Sequence, residues 1–318
     1  MTAIIAKRPI QAIVVIISIL ALAPLLQAEN ADPNAPQTPE RSENTQDSPE
    51  QEITPQDDAT EFHSKFSDFF DEYVTEAGLV DYDTLRRRRL RLNRLLLTFD
   101  EIDRQRYESW PKEDKLAFWI NTYNLKTLDI VVRNYPIEAS RILTIFWGPY
   151  SVRHLGDIWN DYRFVVMDEQ FTLAEVERRF FREEFDDPRV FFALTRATMA
   201  SPPLRNEPYF GYRLDEQLED QAQRFFDSDY GFRIDRENST VYISTILQPI
   251  RTWYGLEFED HYATDLLFKD KEPPVRALLN FITNYISPSE VNYLQTANYN
   301  VRYIPYDWTL NFVGADRL

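Results

Sequence analysis

Residues 111–134 read PKEDKLAFWINTYNLKTLDIVVRN, and this stretch decides the architecture. Pro111 suits a helix start, where its fixed φ helps and its missing N–H is not needed. Glu113 and Asp114 place negative charge at the positive end of the helix dipole. Leu116, Phe118, Trp119, Ile120, Tyr123, Leu128, Ile130 and Val131 then cover most of the circumference. A surface helix shows one apolar stripe, whereas a helix apolar nearly all round is buried. Pro136 ends the run. The spacing predicts a central helix from Pro111 to about Asn134, with the rest of the chain packed round it.

Towards the N-terminus, Phe62, Phe66, Phe69, Phe70, Tyr73 and Val74 recur at helical spacing, and Gly78 closes that helix. A second helix is expected from Asp83 or Thr84 to about Phe99, with Leu85, Leu92, Leu95 and Leu96 inward. Its Arg86 to Arg89, Arg91 and Arg94 read as a solvated face meeting the chain's many carboxylates. Towards the C-terminus, Arg163 to Met167 with Asp168-Glu169-Gln170 reads as strand and turn. Thr172 and Glu175 form a capping box for the next helix. Val190 to Leu194 fits either a strand or a buried helix. Leu214 to Phe226 is an amphipathic helix, and Phe232 to Ile234 with Val241 to Ile246 is a hairpin. Val275 to Ile286 is helical, and Val301 to Tyr306 and Thr309 to Phe312 are extended. The class is α+β: a mainly helical single domain around a long buried central helix, with small antiparallel hairpins.

The ends and the composition bound the setting. Lys7 and Arg8 precede an apolar stretch, Ala12 to Leu26, which closes on small residues before Glu29. That is the layout of a secretory signal peptide (residues 1–28), cut after Ala23 or Ala28, with an uncleaved anchor as the alternative. The expected location is periplasmic or secreted, with membrane contact only if the segment stays attached. Residues 29–60 are acidic, rich in proline and free of aromatic residues, which reads as a disordered tether. The globular domain is then residues 61–318. A formal charge of −17 repels phosphate backbones and anionic membranes, so nucleic acid is a poor partner. The chain has no cysteine, which removes thiol nucleophiles, redox pairs and thiolate metal sites.

Four stretches, in order, resemble the domain of unknown function 547 family. They are Phe118 to Asn124, Asp187 to Leu194 running into Ser201 to Glu207, Leu214 to Leu218, and Tyr306 to Asn311. The family's central block carries a His before its "FAL" and Cys residues after it, and a further His in the preceding helix. Here the matching positions hold Phe191, Arg196 and Ser201, and Arg178. If those residues form the family's reactive centre, the resemblance implies a member that has lost it, a pseudoenzyme.

The candidate pocket residues are Asn121, Asn124, Arg196, Ser201, Arg205 and Glu207. Asn121 and Asn124 share a helix face. They either line a pocket or tie the helix to neighbouring backbone, because an unpaired buried amide costs about 1–3 kcal/mol. Ser201 would need a base and oxyanion donors to act as a nucleophile. Only His63, His154 and His261 exist, all outside the family stretches, and there is no G-x-S-x-G elbow. Arg205 and Glu207 bind a substrate or pair with each other. His154 with Asp157 is at most two ligands, so no metal or cofactor is expected. Trp147-Gly148-Pro149-Tyr150 and Trp253-Tyr254-Gly255 are either loop anchors or binding walls. The expected role is a non-catalytic binding or scaffold module for a peptide, glycan or envelope protein. The alternative is a periplasmic hydrolase using Ser201 or a carboxylate-activated water.

Overall fold

The structure is a computed structural model, in which residues 53–139, 141–248, 262 and 267–315 are described. The expected signal segment, most of the tether, Trp253-Tyr254-Gly255 and His261 lie outside the described residues.

Thr54 caps the first helix, α1 (Pro55–Ser64), through a capping box with Asp57. Residues 55–60 are therefore helical, which moves the domain edge ahead of residue 61. After α2 (Ser67–Tyr73) the chain turns at Gly78, whose φ of 79° only glycine adopts freely. The single helix expected over 83–99 is two, α3 (Tyr82–Arg87) and α4 (Arg89–Asp100). They part at Arg88, where Arg88 and Arg91 reach back to Glu72 of α2. Helix α5 (Arg104–Ser109) leads into α6 (Lys112–Arg133), the central helix.

Every residue of α6 from Leu116 to Val132 is buried. A helix in this position must satisfy its polar side chains internally. Thr122 and Thr127 donate back to the carbonyls of Phe118 and Tyr123. Lys126 donates to Asp100 at 2.9 Å and lies over the Phe164 ring. Asp129 accepts from Arg133 one turn on.

Beyond the single turn α7 (Thr144–Trp147), β1 (Phe164–Val166) is the expected strand. Glu169 and Gln170, expected in the turn, belong instead to a second strand, β2 (Glu169–Phe171), that pairs with it antiparallel. The turn is Met167 and Asp168, both at positive φ. The capping box at Thr172 opens α8 (Leu173–Val176), which widens into π-type turns over Glu177–Phe185. Val190 to Ala193 is a helical turn, α9, rather than a strand. Helix α10 (Leu214–Phe226) matches its expected bounds.

Strands β3 (Phe232–Asp235) and β4 (Thr240–Ser244) make the second antiparallel hairpin. Then come α11 (Pro273–Ile282), α12 (Pro288–Thr296) and β5 (Asn300–Ile304). Strand β5 pairs with β4 in parallel, so the second sheet is mixed rather than a bare hairpin. The core falls into two clusters that meet at α9. Phe191 joins the one around α6, while Phe192 packs on Phe225, Phe226 and Phe281 in the other.

Candidate functional site

The two asparagines of α6 bind backbone. Asn121 donates to the Tyr209 carbonyl at 2.8 Å and accepts from the Tyr209 amide at 2.9 Å. Asn124 does the same with the Ala193 carbonyl and the Thr195 amide, both at 2.9 Å. Each amide thus replaces a strand-like pair of backbone bonds, which holds two irregular segments against the central helix. Of the two expected readings, the tying role is the one the geometry fills.

Arg196 stands at a position for which the resemblance implies a Cys. Its guanidinium holds both oxygens of Glu177, at 2.9 and 3.0 Å, and lies over the Trp159 ring. Tyr123 of α6 donates to the same carboxylate at 2.5 Å. Phe191, at the family's His position, is packed in the core, and Arg178 pairs with Glu183 at the surface. Arg205 bridges Glu207 (2.7 Å) and Asp220, and Glu207 also accepts from Arg213 and Gln217. Burial works against the charge on Glu207, yet the bonds from Arg205 and Gln217 outweigh it and hold the carboxyl below its usual range. A carboxylate so engaged is a strut rather than a base.

Ser201 lines a cleft of about 540 Å³. The cleft exists because the chain over 195–203 is tightly folded. Ala197 takes φ 55°, and its amide donates to the Thr195 hydroxyl. Met199 and Ala200 donate to the carbonyls of Thr309 and Asp307. Gly78 then approaches Pro203 so closely that a Cβ would sit 2.7 Å from the proline Cβ. Asn311 fastens the same wall, donating to the Gly78 carbonyl and accepting from Tyr82. The lining mixes apolar Leu79, Met199, Pro202 and Pro203 with the acidic residues Glu76, Asp227 and Asp229. Arg224, also in the lining, reaches the Glu76 carbonyl.

The Ser201 hydroxyl is 5% exposed by residue and donates to the Thr198 carbonyl at 2.7 Å. Among the described residues, neither a histidine nor a carboxylate hydrogen-bonds to it. His154 accepts no role here: its Nε2–H donates to the Gly148 carbonyl, while Asp157 caps Asn160. No group of three or more His, Cys, Asp and Glu suited to a metal occurs among the described residues.

One polar cluster went unread in the sequence. His63 on α1 is fully buried between Asp114 and Asn121 of α6. Its Nε2–H donates to the Asp114 carbonyl at 3.2 Å, since a carbonyl can only accept. Nδ1 is then the acceptor for the Asn121 amide at 3.3 Å. Burial lowers the His63 pKa to about 3, although the bond to Asp114 works the other way. The same burial raises Asp114 to about 6, against the Gly211 amide that donates to it. The contacts join residues more than fifty positions apart, and local spacing carries no sign of them.

The fold defines an α+β domain in which Asn121 and Asn124 clamp two irregular segments against one buried helix. Residues 107–226 match the family model described as "Protein of unknown function, DUF547", and this segment of the chain belongs to that family. Three of the four resembling stretches lie inside the match. The fourth, Tyr306 to Asn311, lies beyond it yet bonds directly to residues 197–200 of the central block. No curated protein and no solved structure matches the chain.

Proposed function

We propose that the chain is an exported, non-catalytic binding module, and that the Ser201 cleft takes a peptide segment carrying lysine or arginine. The carrying observation is the state of Ser201: its proton is committed to a backbone carbonyl inside a cleft whose lining holds three acidic residues against one arginine, together with Pro202 and Pro203. A lysine or arginine matches such a wall, with its methylenes on Pro202 and Pro203 and its charge towards Asp227 and Asp229. Export is supported by the basic, apolar and small-residue order of residues 7–28.

The test is calorimetric titration of the peptide Gly-Lys-Gly-Lys-Gly. Binding should weaken about tenfold in Asp227→Asn/Asp229→Asn and should fall with salt. Equal affinity for the variant and the wild type would end this reading. The second reading, a hydrolase, rests on Ser201 lying in a cleft at all. It requires a fluorophosphonate probe to label the wild type and not Ser201→Ala; the binding reading predicts no such difference.

A further inference from the structure

Residues 142–150 read ILTIFWGPY, and most of their apolar surface faces outwards. Ile142, Ile145 and Phe146 are 74%, 81% and 76% exposed, all within or beside the single turn α7. Single exposed apolar residues are ordinary, but a contiguous group on a protruding turn marks a surface that meets something apolar.

The base of this turn is held firmly. Arg153 lies over the rings of Trp147 and Trp308, and His154 donates to the Gly148 carbonyl. The amides of Val152 and Leu310 donate to the carbonyls of Trp308 and Tyr150. Three aliphatic and aromatic side chains therefore project from a fixed collar of Trp147, Tyr150 and Arg153, with Arg141 on the approach.

We infer that the 142–146 turn inserts into a phospholipid bilayer surface. The composition is what an interface requires: Ile and Phe most exposed, Tyr150 about half exposed, and Trp147 beside the guanidinium of Arg153. From residue 139 to 156 the sequence has no Asp or Glu, in a chain with 52 of them, and carries Arg141 and Arg153, so this stretch is locally basic on an acidic chain. The length of chain ahead of the domain agrees. The apolar stretch Ala12 to Leu26 precedes Ile53 by a short polar connection of the same polypeptide, so the domain is made within reach of a bilayer whether or not that stretch is later removed. This inference is independent of what fills the Ser201 cleft.

The absence of cysteine makes the test specific. In the full chain, Ile145→Cys carries a nitrobenzoxadiazole label, and Glu237→Cys, exposed in the β3–β4 turn, carries the control label. With phosphatidylcholine–phosphatidylglycerol vesicles, the label at 145 should shift to the blue and be quenched about twofold or more by spin-labelled acyl chains, with no change at 237. Adding Ile142→Glu and Phe146→Glu should abolish the quenching while circular dichroism stays the same, since both positions are exposed. An aqueous spectrum at 145 in the presence of vesicles would overturn the inference. So would a blue shift that needs no lipid and grows with protein concentration, which would assign the turn to a second copy of the chain.

Discussion

His63 and Asp114 lie side by side beneath Phe62, Trp110 and Phe210, and burial moves their proton affinities in opposite senses. An unfolded chain protonates His63 near 6.5 and the folded chain only near 3. Between those values the unfolded state holds the extra proton, so this group costs stability as pH falls from 6.5 towards 3. Asp114 runs the other way: its folded pKa of about 6 against 3.8 unfolded adds stability as pH falls from 6 to 4. One pKa unit corresponds to about 1.4 kcal/mol. His63→Phe removes the first contribution and leaves the second. Relative to wild type it should therefore gain roughly 1 kcal/mol per pH unit between pH 6.5 and 4, measured by urea unfolding at a series of pH values. Parallel stability curves would mean that His63 is not held neutral in the folded chain. Residue-level reading of the sequence fared unevenly here. Asn121 and Asn124 stood out because amides on an apolar helix need partners, and Ser201 because of the motif it interrupts. His63 did not stand out, since nothing near it in sequence reveals Asp114 or Asn121.

Elements with a strong local period were legible. The bounds of α6 and α10, the strand β1 and the Thr172 capping box follow from apolar spacing and end signals within one segment. The break at Arg88 was not legible, because the apolar spacing runs through it and the pull of Glu72 comes from another helix. Nor was the parallel pairing of β5 with β4, whose register joins Thr240 to Asn300 across the chain. Helix α12 was overlooked although Ser287 and Glu290 form the same capping box that identified α8. The turn at Gly78 is where an element and the cleft meet. Gly78→Ala would strain a left-handed residue and press a methyl group on Pro203. Unfolding should become easier by about 2 kcal/mol or more, and peptide binding should weaken with it, because the wall itself is displaced. An unchanged melting temperature and an unchanged affinity would show that this turn does not shape the cleft.

For the molecule as a whole, the family stretches and the net charge divide the work. The clamps made by Asn121, Asn124 and Arg196 hold irregular segments round α6, Asn311 fastens the Gly78 turn, and each binds a backbone group or a carboxylate of this chain. The family's candidate reactive positions are filled by a core phenylalanine, an ion-paired arginine and a serine bonded to backbone. The Ser201 cleft, with Glu76, Asp227 and Asp229 against Arg224 in its lining, is net acidic on an acidic chain, a combination that favours cations over phosphate backbones. The most direct measurement is photocrosslinking of a Gly-Lys-Gly-Lys-Gly peptide bearing a diazirine, followed by mapping of the adducts by mass spectrometry. The account predicts adducts within 76–79, 198–203 and 227–230, competed away by unlabelled peptide. Competed adducts confined to other surfaces would contradict it.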